Sequence, residues 1–260
     1  MPYADVNDIR LYYETSGNGP PIVLVTGFGG DVSFWKRASE ILSEKFTVIT
    51  IDNRGAGKTS YSGNFTLDDI AEDIVCLIGD LGLDKVSVLG WSMGSHIAQK
   101  VALKMPEKVT ALILVSSYRY RPARSQYILR SMIEAVERGM PIEYLARTVN
   151  CMCYTEEFFK KKETSGERIR VSDFKDPTGL RFQIDAVDLS DMTDAAQMIA
   201  VPTLLIHGTE DIMVEYEEGL RLAESIPNCE IYSVEGTGHL IHADRYVPRA
   251  MRFIEDHLAR

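Results

Sequence analysis

Val86-Ser87-Val88-Leu89-Gly90-Trp91-Ser92-Met93-Gly94 is the stretch that decides the fold. A short apolar run enters a Gly-x-Ser-x-Gly pentapeptide, and residues 95–105 then continue with helical spacing. In the order strand, sharp turn, helix, the serine projects from strained backbone. The small residues two before and two after it let strand and helix close up without side-chain collision. Ser92 Oγ is then expected at the carboxyl edge of a sheet, near the positive end of the following helix, where an oxyanion can be held. Taken alone, the pentapeptide leaves two readings open, a nucleophile or a simple helix cap.

Working outward, similar apolar runs recur at Ile22-Val23-Leu24-Val25, Phe46-Thr47-Val48-Ile49-Thr50-Ile51, Ala111-Leu112-Ile113-Leu114-Val115, Thr203-Leu204-Leu205-Ile206 and Glu230-Ile231-Tyr232-Ser233-Val234. They lack clean apolar–polar alternation, which predicts strands covered on both faces, in a parallel sheet between helices. Residues 34–43, 67–81 and 216–226 have helical spacing, and Thr66 followed by Asp69 marks a helix start. Val247, Met251, Ile254 and Leu258 predict a closing amphipathic helix, and residues 3–14, with Asn7-Asp8 in the middle, an opening hairpin. This is a doubly wound α/β pattern.

One stretch breaks the rhythm. Between residues 118 and 193 there is no clear strand, only helical patches such as Ile128, Met132, Ile133 and Val136. A structureless loop of that length is improbable in a compact domain, so a helical insertion is expected at 118–193, within a body formed by 1–117 and 194–260. The chain's 28 Lys/Arg against 38 Asp/Glu give −10, but the charge is unevenly spread. Residues 119–175 hold 12 basic and 8 acidic side chains, leaving the excess of acid to the rest.

The acidic balance argues against nucleic-acid binding, which needs a basic face. No apolar string approaches the length of a membrane span, and Met1-Pro2-Tyr3-Ala4-Asp5 offers neither a cationic flank nor an apolar signal region. Cys76, Cys151, Cys153 and Cys229 are too few and scattered for a disulfide framework. A cytoplasmic enzyme is the expectation, with no nucleic-acid or membrane partner and no assignment of oligomeric state.

With these pieces together, the chain resembles the α/β-hydrolase superfamily over nearly its whole length. The resemblance rests on Thr26-Gly27-Phe28-Gly29-Gly30, on Asp52-Asn53-Arg54-Gly55-Ala56-Gly57-Lys58-Thr59-Ser60 and on the serine pentapeptide. It extends to Val201-Pro202-Thr203-Leu204-Leu205-Ile206-His207-Gly208-Thr209-Glu210-Asp211 and Gly236-Thr237-Gly238-His239. It implies an α/β-hydrolase fold, a mostly parallel, doubly wound sheet with an inserted helical cap. The family's order of serine, acid and histidine picks out Ser92, Asp211 and His239 as a triad. His242 is the rival base and Glu210 the rival acid. The backbone N–H groups of Met93 and, by the resemblance, Phe28 are the expected oxyanion donors. Thr26 stands where the family more often has histidine, which bears on how that glycine turn is supported. Arg54 is expected to tie down local backbone.

Several features look functional and read otherwise. Gly55-Ala56-Gly57-Lys58-Thr59 imitates a phosphate loop, but Asp52 stands where the full motif needs glycine, and a carboxylate there opposes phosphate. Cys151-Met152-Cys153 has no second pair to complete a metal site. Asp185, Asp188, Asp191 and Asp194 lack the glycine and spacing of a calcium loop and are expected in a solvated return segment. Lys160-Lys161-Lys162 reads as a solvated helix face. No metal and no cofactor are expected.

A serine at the nucleophile position suits acyl transfer rather than the dehalogenation or epoxide opening that use aspartate. The resemblance to small carboxylesterases, enol-lactone hydrolases and perhydrolase-like enzymes implies a small-molecule substrate. Trp91, Gly27, Leu240, Phe28 and Met93 flank the site, which favours a largely apolar ester or lactone. Arg119, Arg121 and Arg124 open the insertion, where one could meet a substrate carboxylate or all could be surface charges. Two other uses of the same constellation stay open: C–C bond hydrolysis, and small-molecule binding with little turnover.

Overall fold

In the computed structural model, which describes residues 2–165 and 174–258, the alternating runs form one eight-stranded sheet. The opening hairpin is β1 (Tyr3–Val6) and β2 (Ile9–Ser16), paired antiparallel about Asn7, whose φ is +48°. Then follow β3 (Pro21–Val25), α1 (Lys36–Leu42), β4 (Thr47–Ile51), α2 (Leu67–Asp80), β5 (Val86–Trp91), α3 (Met93–Lys104) and β6 (Val109–Val115). After an insertion come β7 (Thr203–Gly208), α8 (Tyr216–Ser225), β8 (Cys229–Val234) and α9 (Ala243–Leu258). The sheet order is β1-β2-β4-β3-β5-β6-β7-β8, parallel from β4 to β8 with β2 antiparallel at its edge.

The unbroken apolar runs serve two cores at once. Along β3, Val23 and Val25 pack with α2 and α3, while Ile22 and Leu24 pack with α1 and α9. On β6, Leu112 and Leu114 join the first core and Ala111 and Ile113 the second. Both faces are covered, so neither set of positions tolerates polar side chains. Thr66 and Asp69 form a reciprocal capping box at the start of α2.

The insertion between β6 and β7 holds α4 (Ala123–Glu137), α5 (Ile142–Cys153), α6 (Glu156–Ser165) and α7 (Pro177–Asp188). Residues 166–173 of the expected insertion lie outside the described residues. Met192 N donates to Arg119 O at 2.8 Å and closes its base. Asp185 and Asp188 belong to α7; the Asp185 side chain is 38% exposed, and the expectation of a solvated residue fails at Asp188. Asp188 is buried because it pairs with Arg121 and Arg130. Among the described residues no helix is long and apolar enough to cross a membrane.

Candidate active site

The chemistry gathers at the carboxyl edge of β5, β7 and β8. Ser92 follows β5 with φ +54° and ψ −121°, a left-handed conformation that a non-glycine residue adopts only under constraint. Its two glycines supply that constraint. A methyl group on Gly90 would lie 2.2 Å from Gly94 O, and one on Gly94 would lie 2.0 Å from Val25 O. The serine is thereby pinned at the first turn of α3, where the helix's free amides gather.

His239 Nε2 lies 2.7 Å from Ser92 Oγ, and His239 Nδ1 lies 2.7 Å from Asp211 Oδ2. A carboxylate can only accept, so Nδ1 carries the proton and Nε2 is left to accept from the serine hydroxyl. Asp211 Oδ1 accepts from Met213 N and Val214 N, both at 2.9 Å. Burial alone would raise this carboxyl. Attraction to His239 in its charged form and the hydrogen bonds from His207 and His239 outweigh it, holding Asp211 down at about 2. The His239 carbonyl is fixed by two donors, Trp91 Nε1 at 3.1 Å and Ser116 Oγ at 2.8 Å.

The sequence profile of the alpha/beta hydrolase fold family matches residues 20–246. The chain belongs to the α/β hydrolases. RutD of Azorhizobium caulinodans, a candidate carbamate hydrolase, is 30% identical over 94% of this chain and 93% of its own length. A thermophilic esterase from Thermogutta terrifontis superposes with a TM-score of 0.82 at 29% identity, covering 96% of this chain and 93% of the other. The enol-lactonase of Burkholderia xenovorans LB400 shares the fold, with a TM-score of 0.83, 24% identity and full coverage of both chains.

In this α/β hydrolase the rivals stand apart. His242 is exposed and pairs with Asp244 at 2.8 Å. Glu210 is also outside the hydrogen-bonded chain; its backbone N–H donates to Thr237 O. His207 takes part in a way the sequence reading missed: its Nε2 lies 3.3 Å from Asp211 Oδ2 and 3.1 Å from Val214 O. Its place at the end of β7, four residues before Asp211, was the available signal.

Two cavities meet this edge. One, about 30 Å³, is lined by Ser92 and His239 together with Phe28, Met93, Tyr118 and Arg121. The other, about 340 Å³, is lined by Phe28, Phe34, Trp91, Val149, Tyr154 and Leu240. Trp91 and Leu240 line cavity, whereas Gly27 lines neither and packs against the Trp91 ring. A larger cavity, about 710 Å³, lies beyond Gly29 and Asp31 and contains neither Ser92 nor His239. Of the three arginines, Arg119 forks onto Glu218 at 2.9 and 3.0 Å, and Arg124 lies 3.5 Å from Glu215 at the surface. Arg121 alone borders the smaller chamber. Val149, Tyr154 and Phe34 line cavity without any motif to announce them.

The imitation of a phosphate loop has a physical explanation. Asp52 Oδ1 accepts from Val32 N and Oδ2 from Lys58 N, both at 2.7 Å. The chain's own carboxylate uses the amides an anion would need. Arg54, expected on local backbone, instead grips Asp73 at 2.5 and 2.8 Å and Asp8 at 2.6 Å.

Proposed function

We propose that this α/β hydrolase cleaves an ester or lactone bond of a small, largely apolar substrate through an acyl-enzyme on Ser92. The observation that carries the reading is the unbroken chain Ser92 Oγ, His239, Asp211, with 2.7 Å at both links. Ser92 Oγ attacks the substrate carbonyl while His239 Nε2 takes its proton. Asp211 keeps the imidazole in the required tautomer and stabilises its charged form. The oxyanion is held by the backbone N–H groups of Phe28 and Met93, two residues that border the same chamber as Ser92. His239 then returns the proton to the leaving oxygen, and the acyl group stays on Ser92. A water activated by His239 releases the acid and restores the hydroxyl.

The unequal cavities suggest how a substrate lies. A chamber of about 30 Å³ has room for roughly two water-sized groups, so it takes a short acyl part. The 340 Å³ cavity, walled by Phe34, Trp91 and Tyr154, takes the larger apolar alcohol or ring. The helices of residues 118–193 act as the cap that walls both.

A panel of aryl acetates, longer acyl esters, lactones and thioesters, assayed with wild type and Ser92→Ala, tests the reading. Turnover and phosphonate labelling are expected in the wild type alone. A Ser92→Ala protein that is acylated or labelled at the wild-type rate overturns it.

A further inference from the structure

The turn carrying the Phe28 amide is fastened from both halves of the molecule. Gly30 N donates to Gly27 O at 3.2 Å, Gly29 has φ +65°, and Phe28 is not among the residues of positive φ. That combination defines a type II turn, which differs from type I by a flip of its central peptide. The central peptide here is Phe28–Gly29. Its N–H, on Gly29, donates to Gln183 Oε1 at 2.9 Å.

Gln183 comes from α7 of the insertion, 154 residues away, and is fully buried. Its Nε2 donates to Arg54 O at 2.7 Å, so both ends of the amide are used. Arg54 is itself held by Asp73 and Asp8. On the other flank, Thr26 Oγ1 donates to Gly30 O at 3.1 Å, and Asn53 Nδ2 donates to Thr26 O at 2.9 Å. The threonine and its asparagine thus brace the turn where the sequence lacks the commoner histidine. The only side chain that grips the central peptide comes, among the described residues, from the insertion. A methyl group on Gly29 would lie 2.4 Å from Phe174 and 2.9 Å from Leu180, so the insertion also packs closely over the turn.

We propose that Gln183 is a positioning residue for the oxyanion turn. By locking the Phe28–Gly29 peptide it keeps the Phe28 amide preorganised, and it makes this half of the oxyanion hole depend on how α7 is docked. The proposal rests on the assignment of Phe28 as an oxyanion donor. Preorganised donors act on developing charge more than on bound substrate, so their loosening appears in kcat rather than KM.

The test compares wild type with Gln183→Met, Gln183→Asn and Gln183→Glu. It reads kcat and KM on an aryl acetate, the rate of Ser92 phosphonylation by an aryl phosphonate, and thermal stability. Methionine keeps the length and removes both hydrogen bonds, and asparagine falls one methylene short. A buried, protonated glutamate both accepts from Gly29 N–H and donates to Arg54 O. The expected result is a loss of about tenfold or more in kcat and in phosphonylation for the Met and Asn variants, with KM within about twofold. Gln183→Glu should recover most of the loss. If the Met variant does not fold, the Asn and Glu pair decides by the same split. Unchanged kcat in a folded Met or Asn variant overturns the proposal, as does an equal loss in the Glu variant. If wild type is not phosphonylated at Ser92, the proposed function fails first. If wild type is labelled and the folded Gln183→Met or Gln183→Asn variant is labelled equally fast, only the role of Gln183 fails.

Discussion

The α/β body and the helical insertion each bury an arginine, and they do so differently. In the body, Arg54 makes aligned bonds to both oxygens of Asp73 and a third to Asp8. In the insertion, Arg121 Nη1 lies 3.0 Å from Asp188 Oδ1, yet both atoms are off the line of a hydrogen bond. Asp188 Oδ2 is taken by Arg130. A buried charge is tolerable when paired and hydrogen-bonded, so Arg54 reads as a completed structural tie. Arg121 has hydrogen-bonding capacity unspent, and it borders the chamber of Ser92 and His239. Under the proposed function the difference separates two tasks: the body fixes the reacting groups, and the insertion, Gln183 apart, shapes what reaches them.

If that division holds, the largest losses follow from damage to the body and fall on kcat. Asp211→Asn removes the acceptor that sets the His239 tautomer, and kcat is expected to fall about 10³–10⁴-fold with KM little changed. Steady-state kinetics on an aryl acetate checks this. The same residue contributes to stability. Its folded carboxyl is held at about 2, below the ordinary 3.8. The unfolded chain therefore binds the extra proton first, and the stabilisation, roughly 2 kcal/mol, is present above pH 4 and lost as pH falls towards 2. Urea midpoints for wild type and Asp211→Asn should converge over that window. Parallel curves would sink the claim.

The two arginine pairs can be set against each other directly. Asp73→Ala leaves Arg54 buried with only the half-exposed Asp8, and should destabilise by about 3–5 kcal/mol. Asp188→Ala removes the Arg130 bond, which water replaces, and leaves Arg121 buried without that carboxylate; because the Arg121 contact is already misaligned, a smaller loss of about 1–3 kcal/mol is expected. Urea denaturation of both variants decides. Equal losses would mean the two arginines are held equally well, and the comparison would collapse.

The sequence carried the body far better than the insertion. The runs at Val23, Ile49, Val88 and Ile113 were legible because each strand is buried on both faces, which leaves unbroken apolar residues behind. Gly90 and Gly94 were legible because a close backbone approach admits no other residue. The insertion has no such local rule. Which face of α7 meets the body depends on packing across 154 residues, so no local signal marks Gln183, and Asp188 reads as solvated. His207 precedes Asp211 and so falls outside the order serine, acid, histidine. The four-residue offset places it against Asp211, but only once the strand and the turn after it are seen together.

Gln183 apart, damage to the insertion should be smaller and should fall on selectivity. Arg121→Ala removes a buried side chain from the wall of the 30 Å³ chamber. The ratio of butyrate to acetate ester turnover is expected to rise about tenfold, the scale of a methylene or two in an apolar pocket. Asp188 keeps Arg130 as its partner in this variant, which limits the effect on folding. Specificity constants for the ester series provide the check, and an unchanged acyl preference would place the acyl group in the other cavity.

The smallest effect is expected at His242, and it bears on the body's side of the division. This imidazole is the nearest sequence rival to His239, three residues away, yet its side chain is 69% exposed. Its partner Asp244 is shared with Arg37, and exposed pairs of this kind contribute little to stability. His242→Asn should therefore leave kcat within about twofold and stability within about 0.5 kcal/mol. The same assay applied to His239→Asn should lose activity on the scale of Asp211→Asn. A large loss at His242, with His239→Asn still active, would move the proposed base off the β8 edge that Asp211 reaches and undo the assignment of reacting groups to the body.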